Sequence, residues 1–262
     1  MSAAELFKAG RLADCLGELQ GEVRRNPADA KLRVFLAQVL MVTGDWERAL
    51  NQLSVVGEMD ASAIPMVHAY RAAIQCETLR AEVFRGQRSP LVFGDPQPWI
   101  AQLVQALALQ NGHASEAAAM RGQALEAAPA TAGSLNGTAF EWIADADSRI
   151  GPILEVLLNG AYYWVPFARI SKVTLEAPTD ARDLVWMPAQ FTWTNGGEAV
   201  GLIPVRYAGS EREADDGIRM SRKTDWEPIG EGAYAGRGQR VLSTSADELG
   251  LLEVRELELR AA

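Results

Sequence analysis

Hydrophobic residues recur with a helical spacing in the first half of the chain and with an alternating spacing in the second half. Up to Pro129, apolar and small residues fall mainly at three- and four-residue intervals, which places them on one face of a helix. Residues 66 to 85 show no turn signal and predict a single long helix. Beyond residue 139, short segments alternate between apolar and polar side chains, as strands with one buried face do. The change of period predicts helices followed by a sheet, with a boundary between residues 131 and 139.

The helical half contains an internal repeat. The segments KAGRLADCLGEL (8–19) and VTGDWERALNQL (42–53) superimpose with Gly10 on Gly44, an offset of 34 residues, and a third copy at 110–129 follows at twice that offset. This period is that of tetratricopeptide repeats, in which a tight turn joins two helices. Two helices approach closely only where a small residue lies at their crossing. The residues that superimpose at that position are Cys15, Ala49 and Ala117.

The series of repeats is interrupted between the second and third copies. The expected turn glycine would fall on Thr78, which lies inside the predicted long helix. The segment at 85–98 is rich in proline and glycine around a short apolar run, and it predicts a structured loop or linker before Trp99 begins the next helix.

One segment of the second half has a helical period. Its flanks fit a helix, because Pro152 lies in the first turn and Gly160 lies just past the end. The preceding residues, 140–147, are compatible with either a short helix or a strand. Five apolar residues predict one amphipathic helix between positions 149 and 159: Ile150, Ile153, Leu154, Leu157 and Leu158.

The remaining elements of the second half are predicted strands. Residues 162–167 and 172–176 alternate in polarity, and strand-like segments flank the turn Thr194–Gly197, which predicts a hairpin. We therefore predict an α+β fold. It comprises a tetratricopeptide-like α-helical repeat domain at residues 1–130, followed by a mainly antiparallel β (α+β) domain at residues 139–262.

Composition and charge narrow the classes of function. The chain has 262 residues, with 25 Lys and Arg against 34 Asp and Glu, and a net charge of -9. Such an acidic chain is a poor match for nucleic acid or for an anionic membrane. No apolar run approaches the length of a membrane span, the first residues do not resemble a signal peptide, and the two cysteines show no disulfide spacing. We expect a cytoplasmic protein.

Motifs for metal or cofactor binding are not evident in the sequence. His68 and His113 are the only histidines, and neither has a cysteine at ligand spacing, so we expect structural roles for both and no metal site. The glycine-rich segment 230–240 leads into a predicted strand, whereas a phosphate-binding loop leads into a helix. We expect no cofactor.

Acidic residues offer the one route to catalysis. Glu141, Asp145 and Asp147 form an acidic stretch, and two carboxylates in a cleft between the domains would suit the acid and base of a hydrolase. The alternative is a structural role, in which Asp145 or Asp147 caps the helix predicted at 149–159. A second acidic segment, 209–217, has the composition of a solvated loop.

Aromatic residues of the second half are candidates for partner binding. Trp164, Trp186, Trp193 and Trp226 fall on predicted strands, where most such side chains belong to a core. Three consecutive aromatics on one strand cannot all point to the same side, so part of an aromatic surface is expected to leave the core. The candidate anchors for a protein partner are Tyr162, Tyr163, Trp164 and Trp193.

Long blocks of the second half resemble the ImpE family, which is also called SciE or TagJ, of bacterial type VI secretion accessory proteins. The blocks are EWIADADSRIGPILEVLLNGAYYWVPF (141–167), DLVWMPAQFTWTNGG (183–197), LIPVRY (202–207) and GQRVL (238–242). The helical half is similar more loosely, and it departs from regular repeats at position 78, where the turn glycine is absent.

The resemblance implies a cytoplasmic, non-enzymatic adaptor encoded with the virulence-associated secretion machinery. Its implied partners are the small subunit of the contractile sheath and the ClpV-type AAA+ ATPase that disassembles the sheath. The predicted stacked helix pairs are consistent with a role in protein binding, because such pairs form concave surfaces suited to a helix or an extended peptide. Two alternatives stay open: the hydrolase described above, and a purely structural role in which the second domain covers the end of the helical array.

Overall fold

The computed structural model describes residues 1–260, with seven helices in the first half of the chain and fourteen short strands, most of them in the second. A four-residue helix, α8, covers Asp216–Arg219. The other helices are α1 (Ala3–Lys8), α2 (Leu12–Arg25), α3 (Ala30–Val42), α4 (Trp46–Met59), α5 (Ile64–Phe84), α6 (Pro98–Leu109) and α7 (Ala114–Ala127). The α+β prediction is therefore confirmed.

The helical half follows the repeat predicted from the sequence. Pairs α1–α2, α3–α4 and α6–α7 are each joined at a glycine with positive φ, at Gly10, Gly44 and Gly112. The small residues predicted at the crossings are buried, with Cys15 and Ala49 fully inaccessible to solvent. Helix α5 is a single helix of 21 residues, as predicted.

Gly86 fixes how α5 ends against α6. Its φ is +72°, and a Cβ placed on it would lie 2.3 Å from the carbonyl oxygen of Leu107, in the backbone of α6. Because neither the backbone conformation nor the neighbouring carbonyl accommodates a methyl group, we expect Gly86→Ala to lower the free energy of unfolding by about 2–4 kcal/mol. Chemical denaturation measures this directly.

Gly122 provides the matched control for that measurement. It lies inside α7, and a Cβ there meets nothing within 4 Å. Gly122→Ala is expected to leave stability unchanged or to raise it by up to about 1 kcal/mol. Equal effects of the two substitutions would contradict the proposed clash at Gly86.

The strands of the described residues form three sheets. The strands are β1 (Leu91–Val92), β2 (Gly133–Leu135), β3 (Thr138–Phe140), β4 (Ile143–Asp145), β5 (Ile153–Leu158), β6 (Ala161–Pro166), β7 (Ile170–Leu175), β8 (Trp186–Trp193), β9 (Glu198–Pro204), β10 (Thr224–Gly230), β11 (Ala233–Gly238), β12 (Val241–Thr244), β13 (Glu248–Gly250) and β14 (Glu256–Leu259). The largest sheet has nine strands in the order β1-β6-β5-β9-β8-β7-β14-β2-β3, all antiparallel except the β1–β6 pair. The smaller sheets are β13-β12-β4 and the hairpin β10-β11.

The hairpin predicted around Thr194–Gly197 is confirmed as β8–β9, whereas the amphipathic helix predicted at 149–159 is wrong. That segment forms strand β5, in which all six residues are buried. A strand covered on both faces is apolar at consecutive positions, and such a short run also matches a helical period. Asn159 and Gly160, both with positive φ, turn β5 into β6.

Two other ambiguous segments are resolved by the sheet. Residues 140–147 contain the end of β3 and strand β4, and they contain no helix. The loop predicted at 85–98 contributes the two-residue strand β1, which pairs with β6 at Leu91 and Tyr163.

Two hydrophobic cores lie on opposite faces of the large sheet. One is shared, because it contains residues of all seven helices of the first half together with Tyr162, Trp164 and Trp186 of the sheet. The other is formed by the sheet with the remaining strands. The division into domains at 1–130 and 139–262 stays a prediction, and its last two residues lie outside the described residues.

Candidate functional site

Buried charges join the helical array to the sheet. Arg80 of α5 is only 1% exposed and donates hydrogen bonds of 2.7 and 2.9 Å to the two carboxylate oxygens of Glu155 on β5. Its Nη2 also donates to the backbone carbonyl of Arg206, at 2.8 Å. Glu77, one turn earlier on α5, accepts a 2.8 Å hydrogen bond from the indole of Trp186. A buried ion pair with such hydrogen bonds fixes the register of α5 on the sheet.

Glu155 lies at the centre of this network. The Tyr162 hydroxyl and Arg240 both donate to its carboxylate, and Trp164 donates to the Tyr162 hydroxyl at 2.7 Å. Burial opposes ionisation of Glu155, but the guanidinium groups of Arg80 and Arg240 outweigh it and lower its pKa to about 2. The carboxylate is therefore ionised and fully paired.

Asp145 and Asp147 belong to the same network. Arg240 bridges Asp145 to Glu155, whereas Arg149 holds Asp147, which also accepts the Gly236 backbone N–H at 3.0 Å. Burial raises the pKa of Asp145 to about 6, although Arg240 acts in the opposite direction. The prediction that these residues cap a helix at 149–159 is wrong, because no helix forms there.

The carboxylates proposed for a hydrolase do not converge on a cleft. Asp145 and Asp147 are buried and ion-paired, whereas Glu141 is exposed on the loop between β3 and β4. Five cavities formed by the described residues are lined by residues other than these three. The geometry gives the hydrolase hypothesis no support.

The acidic segment at 209–217 is less solvated than predicted. Glu211 packs against the turn at Gly44, and Asp216 accepts a 3.1 Å hydrogen bond from the backbone N–H of Leu12, at the start of α2. Arg206 makes a similar connection, since it donates to the carbonyls of Met41 and Val42 at the end of α3. These bonds satisfy helix termini of the first half with groups of the second.

The predicted aromatic anchors lie mostly in the cores. Tyr162 and Trp164 are fully buried, Trp193 is 6% exposed, and only Tyr163 is half-buried. Tyr163 points to the opposite side of β6 from its neighbours, as the alternation requires. Their role in partner binding stays a prediction, and Trp226, at 39%, exposes more surface than any of the four.

A groove lies between the helical array and the segment 177–184, which connects β7 to β8. It consists of two adjacent hollows, of about 400 and 380 Å³, that share Phe35, Gln38 and Asp180. The Phe7 and Phe35 rings meet edge to face at 5.8 Å, and the half-buried Leu184 lies on the opposite wall. We call this concavity the α1–α3 groove.

The walls of the α1–α3 groove are fixed and its rim is polar. On the 177–184 side, the buried Asp183 accepts the backbone N–H groups of Thr179 and Asp180, both at 2.8 Å, and the turn Ala181–Leu184 packs against α3. An apolar floor with a charged rim suits an amphipathic segment. The charged rim residues are Lys8, Lys31, Asp60, Asp180 and Arg222, all exposed.

Sequence reasoning missed the α1–α3 groove because its residues come from distant segments. Residues 178–184 form one of its walls, and no local pattern brings them to helices of the first half. One local sign of the groove is present in the sequence of α3. There, Val34 and Phe35 extend the apolar surface of the helix beyond the run of buried residues that begins at Leu36.

Within residues 1–260, no group of three or more His, Cys, Asp or Glu side chains is placed to hold a metal ion. His68 lies within α5, and His113 precedes the first residue of α7. No helix in this range has both the length and the apolar character needed to cross a bilayer.

Comparison with known proteins identifies relatives of the chain. Residues 137–258 match the family described as "ImpE protein". The type VI secretion system accessory component TagJ of Pseudomonas aeruginosa strain PAO1 is 51% identical over 259 residues, which cover 98% of this chain and 91% of that protein. The crystal structure of protein VPA1032 from Vibrio parahaemolyticus superimposes on this chain with a TM-score of 0.89, at 24% sequence identity. The superposition covers 98% of this chain and 97% of VPA1032, which shows that the two proteins share the fold.

Proposed function

The chain belongs to the ImpE family, and from this premise we propose that it is a type VI secretion accessory component that acts as a non-enzymatic, cytoplasmic adaptor. The observation that carries the proposal is the 51% identity to a protein of that description over nearly the whole of both chains. Both halves of the chain are included in that similarity, so the proposal concerns the helical array as well as the sheet.

The finer part of the proposal concerns the partners. We propose that the adaptor binds the small subunit of the contractile sheath and the ClpV-type AAA+ ATPase, and so brings the substrate to the enzyme that disassembles it. Linking two proteins requires surfaces with defined shapes, and the α1–α3 groove is one such surface.

The α1–α3 groove suits the apolar face of a short amphipathic helix. Phe7, Phe35 and Leu184 provide contacts for apolar side chains spaced along one helix face, and the charged rim accommodates the polar side. Each hollow lies within the usual volume range of binding clefts, about 300–1,000 Å³. We therefore propose that this groove binds an amphipathic helix of the small sheath subunit.

Phe35 is the residue to change, because it lines both hollows. A carboxylate in place of the ring would have to be desolvated on binding, so we expect Phe35→Glu to weaken binding of the small sheath subunit by at least about tenfold. Titration calorimetry of the purified chain with the small sheath subunit measures the affinity, and a parallel titration with the ATPase tests the second partner.

Val200→Glu is the matched control. Val200 is 71% exposed on β9, outside the α1–α3 groove, so the variant introduces the same charge at another apolar position. We expect it to bind like the unchanged chain. Loss of binding in both variants, or in neither, would argue against the groove. No binding of the unchanged chain to either partner would count against the adaptor itself.

A further inference from the structure

A second concavity lies on a different part of the surface, where the end of α5 faces the turn that follows β9. Its volume is about 170 Å³, and Phe84, Ala208 and Gly209 form part of its wall. Three arginines line it, Arg85, Arg149 and Arg212, with Glu211 as the one acidic lining residue. We call it the arginine cleft. It shares no lining residue with the α1–α3 groove.

Arg149 is the recessed member of the arginine cleft. Its side chain is 12% exposed, and its Nε and Nη2 donate to the carboxylate of Asp147. The guanidinium also lies over the Phe84 ring, 4.8 Å from its centre. A cation held by a carboxylate on one side and a ring on another loses little conformational freedom when it binds an anion.

Of the six terminal nitrogens of the three arginines, only Nη2 of Arg149 donates a hydrogen bond within residues 1–260. Arg85 donates through Nε to Gln87 at 3.1 Å, and the Nε of Arg212 lies 3.3 Å from Glu211. The hydrogen bonds formed within residues 1–260 use neither Nη atom of Arg85, neither of Arg212, and not Nη1 of Arg149. Guanidinium N–H groups pair best with two oxygens of one anion.

The charge around the arginine cleft is positive although the chain carries a net charge of -9. Three arginines and one glutamate line the cleft, and Asp147 forms an ion pair with Arg149.

We propose that the arginine cleft binds a phosphate group. A phosphate monoester carries about two negative charges at neutral pH and presents three acceptor oxygens, which matches three arginines with free terminal donors. The small volume favours a single phosphate over a larger anion. Free phosphate and a small phosphomonoester share this chemistry, and the test distinguishes them.

The test is titration calorimetry of the full chain with inorganic phosphate and, separately, with glycerol 3-phosphate, each against chloride at equal ionic strength. We expect saturable binding with a Kd of about 1 mM or tighter. Tighter binding of glycerol 3-phosphate identifies a phosphomonoester as the ligand, whereas tighter binding of inorganic phosphate identifies the free anion. Absence of saturable binding of both anions overturns the proposal.

The variant that assigns the site is Arg85→Gln combined with Arg212→Gln. Both side chains are exposed, so the variant is expected to unfold at the same denaturant concentration as the unchanged chain and to bind phosphate at least about tenfold more weakly. Arg88→Gln is the matched control, because Arg88 is equally exposed but lies outside the cleft. Equal affinity of the double variant and the control would overturn the assignment.

Discussion

Replacing Arg240 with methionine is expected to lower the free energy of unfolding by about 3–5 kcal/mol at neutral pH. Arg240 is fully buried and bridges Asp145 to Glu155, and it also donates to the carbonyl of Pro204 at 2.9 Å. Methionine fills much of the same volume but leaves a buried carboxylate without its cation. Equilibrium unfolding in urea measures the loss.

The destabilisation by Arg240→Met should depend on pH, because the raised pKa of Asp145 lies in a pH range that unfolding experiments can reach. Burial raises the pKa of Asp145 from 3.8 to about 6. Between pH 3.8 and about pH 6, the folded state therefore binds more protons than the unfolded state does. The contribution of Asp145 to the free energy of unfolding falls as the pH rises through this range. Without Arg240 its pKa rises further. We therefore expect the destabilisation by Arg240→Met to be smaller at pH 5 than at pH 8.

Arg237→Met is the control for this prediction. Arg237 lies three residues earlier, is 39% exposed, and pairs with Glu213 and Glu227 at the surface. Surface pairs contribute at most about 1 kcal/mol, so its replacement should cost little and show no such pH dependence. A similar cost for both variants would mean that the Arg240 network contributes no more than a surface pair does.

The sequence predicted those parts of the fold that depend on local patterns. The repeat, its turn glycines at Gly10 and Gly44, the long helix α5 and the β8–β9 hairpin all follow from residues close together in the chain. Strand β5 was mistaken for a helix because burial on both faces removes the alternation that distinguishes a strand.

The contacts between the two halves could not be predicted in this way. Arg80 and Glu155 form an ion pair across 75 residues, and Arg206 reaches the end of α3 across more than 160. The residue types gave a partial signal, since an arginine inside an apolar helix needs a buried partner, but the partner's identity depends on the tertiary fold. The α1–α3 groove and the arginine cleft were missed for the same reason.

The shared core leads to a second prediction with a large effect: a fragment of residues 1–130 is expected to lack cooperative folding. Trp164 and Trp186 are fully buried against the helices, with Trp186 stacked on Trp46 at a ring distance of 5.9 Å. Without the sheet, the helices would expose the apolar surface that these rings cover, and Arg80 would lose its ion pair with Glu155. Circular dichroism during urea unfolding should show a broad change with no sigmoidal transition.

Complementation provides the control for the fragment experiment. Coexpressed fragments 1–130 and 131–262 should associate and recover a cooperative transition, because every contact of the shared core is available to the pair. Fragment 1–130 alone could instead show a sigmoidal transition, in which the free energy of unfolding falls with urea concentration at a slope proportional to the length of the fragment. That result would show that the helical array is an independent domain. In that case the sheet would be attached to the array without completing its core, and the domain boundary predicted between residues 131 and 139 would also be a boundary of cooperative folding.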